Sequence, residues 1–172
     1  NMSTTTSPVL GKMGQSYKFN GVNGYVSVPL TSSLNITQNI TVSVWMYNNQ
    51  WKESNLVESG ASGYMLWTAP SQGNKIRWGR QTSSSQVSTL TSLNTRLNEW
   101  IHVVGTNDGT TLKIYLNGVL DNSLVVTTSF GNSTVTLGAG ITGSSDGYFK
   151  GKLDDVHIYN RALSAAEISQ LY

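Results

Sequence analysis

Ile40-Thr41-Val42-Ser43-Val44-Trp45-Met46-Tyr47 is the stretch on which the fold turns. It alternates with a period of two, the period of a β-strand whose successive side chains point to opposite faces. Ile40, Val42, Val44 and Met46 share one face; Thr41, Ser43, Trp45 and Tyr47 share the other. Leu112, Ile114 and Leu116 repeat the pattern with Lys113 and Tyr115 opposite, and Val156 and Ile158 do so again. Further strands are expected at 16–20, 24–28, 55–59, 63–68, 75–80, 86–91, 100–106, 119–127 and 133–138.

The breaks between these segments have turn chemistry. Asn107-Asp108-Gly109 and Asn117-Gly118 each supply the positive φ that a tight hairpin needs. Asn23-Gly24 and Gly73-Asn74 are further turn signals. Many short strands joined by hairpins indicate a sandwich or a barrel. One helix is expected at the end. Ser164-Ala165-Ala166-Glu167 reads as a capping box, with Leu163 and Ile168 placed to staple it.

The chain has 172 residues, enough for one domain spanning 1–172. Charged residues make up only 12%, about half the usual share, as expected of a β-rich surface covered by hydroxyl and amide groups. A net charge of +2 argues against nucleic-acid binding through phosphates, and Lys75, Arg77 and Arg80 read as a solvated strand face. With no cysteine, neither a disulfide nor thiol chemistry is available, which fits the cytosol or many prokaryotic and viral exteriors. No run approaches 18 apolar residues, so membrane insertion is not expected. A start at Asn1 without a signal peptide reads as a mature fragment or an excised domain. Asn1, Asn35, Asn39 and Asn132 open N-glycosylation patterns, which chance supplies readily in a chain so rich in Asn, Ser and Thr.

Five segments, taken in order, resemble the laminin-G-like branch of the concanavalin A-like lectin/glucanase superfamily. They are the opening motif Tyr17-Lys18-Phe19-Asn20-Gly21-Val22-Asn23-Gly24-Tyr25-Val26-Ser27-Val28, the strand Thr41-Val42-Ser43-Val44-Trp45, the segment Glu99-Trp100-Ile101-His102-Val103-Val104, the hairpin Leu112-Lys113-Ile114-Tyr115-Leu116-Asn117-Gly118, and the closing Gly151-Lys152-Leu153-Asp154-Asp155-Val156-His157-Ile158-Tyr159-Asn160-Arg161-Ala162-Leu163-Ser164. The resemblance spans about residues 11 to 172. It implies an all-β, two-sheet antiparallel jelly-roll sandwich with a short C-terminal helix. It implies fold far more than function, because this sandwich hosts lectins, hydrolases, adhesins and spacers. The family usually begins with a further aromatic-rich strand, before the segment that matches Asn1 to Leu10. That strand is expected to be absent here, leaving an open sheet edge for assembly with a neighbour or a second copy.

By alternation Asp154 shares a face with Val156 and Ile158 and should point inward, where an ionised carboxylate needs a partner or a cation. The resemblance implies a calcium ion held by Asp154, Asn20, the carbonyl of Gly21 and Asn23, in a structural role. The alternative is that Asp154 caps backbone N–H groups or pairs with Arg161. Trp45 and Trp100 sit in the family motifs and read as packing residues. Trp67 and Trp78 lie outside them. With Tyr64, Arg80 and Gln81 they are candidates for a sugar-stacking platform; otherwise the two indoles are a cross-strand pair filling the sandwich.

The case for catalysis is thin. Sugar-cleaving relatives of the fold carry paired carboxylates on one strand, and no such run occurs; Glu53, Glu58, Glu99 and Glu167 are scattered, and Asp154 and Asp155 are adjacent. His102 and His157 read as satisfied strand histidines. No phosphate loop or zinc spacing appears. The expectation is a non-enzymatic carbohydrate-binding or adhesion module of an extracellular, cell-surface or virion protein, its partner a glycan or glycoprotein. The alternative is a structural or assembly module of a filament, surface layer or capsid, without a sugar ligand.

Overall fold

The computed structural model describes residues 7–60, 62–80, 84–131, 133–140 and 147–172. Gln81, Asn1 and Asn132, singled out above, lie outside them. In chain order the strands are β1 (Ser7–Leu10), β2 (Gln15–Asn20), β3 (Val26–Val28), β4 (Ile40–Asn48), β5 (Ser54–Glu58), β6 (Met65–Ala69) and β7 (Lys75–Gly79). They continue with β8 (Gln86–Ser88), β9 (Trp100–Asn107), β10 (Thr111–Leu116), β11 (Val119–Val125), β12 (Val135–Leu137) and β13 (Lys150–Tyr159), and α1 (Ala165–Leu171) closes the chain. One sheet runs β1-β2-β13-β4-β9-β10-β11 and the other β3-β12-β5-β6-β7-β8, with antiparallel pairing throughout. This is the expected two-sheet sandwich with one short C-terminal helix. Among the described residues no helix is long and apolar enough to cross a membrane.

The core lies between the two inner faces. Ile40, Val42, Val44 and Met46 of β4 join Ile101 and Val103 of β9 and Leu112, Ile114 and Leu116 of β10, against Leu66, Ile76 and Trp78 of the second sheet. Trp78 is the central plug. Its indole lies flat on Gly105 of β9, where a Cβ would sit 2.3 Å from the ring, and its Nε1 donates to the Thr106 carbonyl at 2.9 Å. Only glycine lets the two sheets approach this closely around an indole.

The second face of β4 is covered too. Leu163 and Ile168, on either side of the helix start, pack on Val104 and Tyr115 at the outer face of the seven-stranded sheet. The capping box forms as expected: the Ser164 hydroxyl accepts from the Glu167 amide, and the Glu167 carboxylate accepts from the Ser164 amide. Thr41 ties this segment down by accepting from the Leu163 amide at 2.9 Å and donating to the Arg161 carbonyl at 2.8 Å. Trp45 is buried beneath it, stacked on Tyr172 at 5.5 Å.

Two expectations about the seven-stranded sheet need correction. β1, which the expected strands do not include, pairs antiparallel with β2 from Ser7↔Lys18 to Leu10↔Gln15 and is itself the edge strand of this sheet. Pro8 hides this strand from a propensity reading, yet an edge strand is where a residue without an N–H is tolerated. At the far edge β11 is bonded sideways to the other sheet: Asp121 accepts from the Leu90 and Thr91 amides, and Asn122 Nδ2 donates to the Ser88 carbonyl at 2.8 Å.

The second correction is to the direction of Asp154. A bulge interrupts the β13–β4 register between Asp154 and His157, with Asp155 at φ 47°. The extra residue shifts the parity. Asp154 pairs with Trp45 and faces outward, whereas Ile158, beyond the bulge, pairs with Val42 and faces the core.

Candidate functional site

The outer face of the six-stranded sheet gathers polar and aromatic side chains in adjoining rows. A bulge in β5 between Asn55 and Val57 turns both Asn55 and Glu58 outward while Leu56 and Val57 stay buried. Asn55 Nδ2 donates to Glu58 Oε2, and Glu58 is only 1% exposed. Gly140 lies directly over this pair: a Cβ there would stand 2.7 Å from Asn55 Nδ2 and 3.0 Å from Glu58 Oε2. Beside the pair, Thr136 is the cross-strand partner of both Glu58 and Ser27, and its hydroxyl donates to the Ala139 carbonyl at 2.8 Å. Ser27, Thr136, Ala139 and Gly140 floor a cleft of about 370 Å³ whose other walls are Thr134 and two tyrosines, Tyr25 and Tyr148, and the Asn55–Glu58 pair lies beneath Gly140, outside the lining.

On the other side of Asn55 come Trp67 and then Arg77, its partner across β6 and β7. The Arg77 guanidinium carbon lies 5.1 Å from the Trp67 ring centroid, a cation–π contact. Burial pulls the Arg77 guanidinium below its ordinary value, with the charge of Glu53 opposing. Its Nε is buried without a hydrogen-bond partner among the described residues. The two tyrosine rings beside the Ser27, Thr134 and Thr136 hydroxyls can hold a polyhydroxylated ligand through stacking and hydrogen bonds.

Of the four described residues expected to form a platform, Tyr64, Trp67, Trp78 and Arg80, only Trp67 is placed on this face, and it is buried there at 8% exposure. Trp78 and Tyr64 are fully buried in the core, their rings 6.3 Å apart and both against Phe130. Burial pushes the Tyr64 phenol up to about 12, with Ser59 opposing. Arg80 is half-buried past the end of β7, its amide donating to the Ser85 carbonyl at 2.7 Å. Trp67 and Trp78 are not a cross-strand pair either; the partner of Trp78 is Leu66, on the opposite face from Trp67. Alternation placed neighbours correctly on opposite faces but carried no information about which face is inner. Tyr25, Tyr148, Asn55 and Glu58 went unread because the bulge and the sheet order that assemble them leave no local pattern.

The four calcium candidates do not make one coordination shell. Asn20 Oδ1 accepts from the amides of Val22, Asn23 and Gly24, and Asn20 Nδ2 donates to Asn23 Oδ1 at 2.8 Å. The Gly21 carbonyl accepts from Lys52 Nζ at 3.2 Å. Asp154 stands four residues along β13 from Lys150, the partner of Asn20, a separation of roughly 13 Å. Its carboxylate accepts from the amides of Lys12 (2.7 Å), Met13 (2.9 Å) and Asp155 (2.9 Å). The oxygens a cation would need are thus turned to N–H donors, the backbone-capping alternative. Arg161 pairs instead with Glu167 at 2.7 Å. Among the described residues no three His, Cys, Asp or Glu side chains are grouped for a metal.

His102 Nε2 lies 2.8 Å from Ser43 Oγ, and the ring is 1% exposed between Trp45 and Tyr172. Burial, with a smaller contribution from His157, pulls its pKa down to about 4, so the ring is neutral at pH 7. Its Nδ1 has no partner among the described residues. Among the described residues no third group orients the imidazole through Nδ1, as in a nucleophilic triad.

Solved structures resemble the whole chain. Domain 4 of AbnA, a GH43 extracellular arabinanase from Geobacillus stearothermophilus, solved with arabinotriose, aligns with a TM-score of 0.77 at 22% identity, over 99% of this chain and 82% of that one. The binding domain of Paraclostridial Mosquitocidal Protein 1 aligns with a TM-score of 0.80 at 20% identity, over 99% of this chain and 46% of that one. The binding domain of botulinum neurotoxin DC, solved with rat synaptotagmin II, gives 0.73 at 18%, over 99% and 46%. This chain thus spans under half the length of the toxin binding domains. At these identities the likeness establishes the shared fold. No curated protein matches by sequence. The family model described as the concanavalin A-like lectin/glucanases superfamily, of laminin-G type, matches residues 20–169, and with both sheets in place the chain belongs to that family.

Proposed function

We propose that the chain is a non-catalytic carbohydrate-binding module of an extracellular, cell-surface or virion protein. The saccharide lies along the outer face of the six-stranded sheet. The observation that carries this reading is the cleft between Tyr25 and Tyr148, floored by Ser27, Thr136 and Gly140 and flanked by Thr134. Its two aromatic walls suit the C–H faces of a sugar ring, and its polar floor suits the hydroxyls. The arabinotriose in the AbnA structure and the binding domains among the similar folds support a binding role. Avidity from several copies would compensate for a shallow site. Calcium has no part in this reading, since the oxygens of Asn20 and Asp154 already accept from amides.

The test is a glycan array followed by calorimetry on the best neutral oligosaccharide, with arabinotriose among the probes. Tyr148→Ala should weaken binding at least tenfold, the loss expected when one anchor side chain of a small site is removed. The melting temperature should hold. Binding that survives both Tyr148→Ala and Tyr25→Ala refutes this location, and absence of any glycan ligand refutes the reading. Release of shortened saccharide by the purified chain would overturn its non-catalytic part.

A further inference from the structure

The outer face of the seven-stranded sheet carries a row that no single stretch of sequence contains. Lys18 of β2 is directly opposite Lys152 of β13, Lys152 is opposite Tyr47 of β4, and Tyr47 is opposite Trp100 of β9. Residues paired in this way point to the same face. At the usual strand spacing the row runs about 14 Å. Lys152 Nζ sits 4.7 Å from the Tyr47 ring centroid and 5.9 Å from that of Trp100, and the two rings meet edge to face at 5.4 Å. Lys150 lies two residues along β13, exposed, and the exposed Lys12 holds its ammonium 4.5 Å over Trp45. Four of the chain's seven lysines therefore share one end of one face. Leu163 and Ile168 cover a different part of that face, over Val104 and Tyr115.

Cation–π contacts account for Lys152 and Lys12, but no contact of that kind accounts for Lys18 or Lys150 among the described residues. Like charges opposite each other on neighbouring strands repel. None of the four lysines makes a salt bridge among the described residues. Asp154, on the same face two residues along β13 from Lys152, is buried and accepts from the amides of Lys12, Met13 and Asp155. Asp155 sits with His157 at 3.7 Å. The positive charge is left to solvent beside a half-exposed indole.

We propose that this row is a second binding surface, for an acidic polysaccharide whose carboxylate or sulfate groups meet Lys18, Lys150 and Lys152 while a sugar ring rests against Trp100. Charge complementarity selects the partner's sign. The aromatic end and the neighbouring Asn49–Asn98 amide pair, joined at 2.8 Å, select a saccharide over a bare polyanion. A net charge of only +2 makes the local cluster, and not the whole-molecule field, the source of attraction.

The experiment measures binding of the purified chain to polygalacturonate and to dextran sulfate, with neutral dextran and a single-stranded oligonucleotide as comparators. Binding to at least one acidic polysaccharide is expected, weakening as salt is raised. Lys18→Gln/Lys150→Gln should reduce it at least tenfold with the melting temperature unchanged or raised. Trp100→Phe should reduce it severalfold. Tyr148→Ala should leave it unchanged, which separates this surface from the cleft. Equal affinity of the lysine variant and the parent overturns the proposal. So does tighter binding to the oligonucleotide than to either polysaccharide.

Discussion

Gly105→Ala puts the central packing of the sandwich to a test. The added Cβ would lie 2.3 Å from Trp78 Cδ2, 2.6 Å from Cγ and 2.7 Å from Cε3. Carbon atoms in contact stand about 3.5 Å apart or more, so the indole must move by about 1.2 Å. It has little room to do so, because Tyr64 and Phe130 bracket it and its Nε1 is bonded to Thr106. Overpacking of this kind costs about 1–3 kcal/mol. Loss of the buried indole hydrogen bond adds about 1–3 kcal/mol. A total of about 2–6 kcal/mol corresponds to a melting temperature lower by roughly 4–24 °C for a domain of this size. The assay is a thermal and urea melt of the four proteins of a double-mutant cycle: the parent, Gly105→Ala, Trp78→Leu and both together. Trp78→Leu alone should be costly because it empties the core, but the alanine should then add little, giving a coupling energy above about 1 kcal/mol. Additive losses, or a Gly105→Ala protein that melts with the parent, would refute the placement of Trp78 between the sheets.

Three further outcomes are expected. His102 should make the fold acid-sensitive: its pKa near 4 in the fold against 6.5 for a free side chain means that the unfolded chain gains a proton first. Stability is then full above about pH 6.5 and falls as the pH drops toward 4, by up to about 3 kcal/mol. Urea melts at pH 7, 5 and 4 should show that slope in the parent and a flatter one in His102→Gln; parallel slopes would disprove the assignment. Calcium and a chelator should each leave the melting temperature unchanged, because the Asp154 carboxylate already accepts from three amides, whereas Asp154→Ala should lower it equally with and without chelator. A rise of several degrees on adding calcium would restore the metal. Ser164→Ala should cost about 1 kcal/mol by removing the cap of α1, read as a lower urea midpoint.

The sandwich was readable because alternation is local: the two faces of β4, the Asp-Gly and Asn-Gly turns and the Ser164–Glu167 box all declare themselves within a few residues. What escaped depends on contacts between distant segments. β1 carries Pro8 and becomes a strand only because β2 offers it an edge. The direction of Asp154 reversed because one residue, Asp155, takes a positive φ, and a single bulge inverts every parity argument that crosses it. Trp67 and Trp78 each lie on a short strand, and the close approach of Gly105 that makes room for Trp78 comes from β9, far along the chain. The lysine row has the same origin, since Lys18 and Lys152 are brought together by sheet order alone.

The placement of the indoles has a spectroscopic consequence. Trp78 and Trp45 are sealed from water, Trp67 is buried at 8% exposure on one outer face, and Trp100 lies half-exposed on the opposite one. Emission from the sealed pair should stay blue and constant until the fold is lost. Quenching by iodide should act first on Trp100. A ligand on either face would then disturb a different fluorophore, and single Trp→Phe replacements would tell from which side it came.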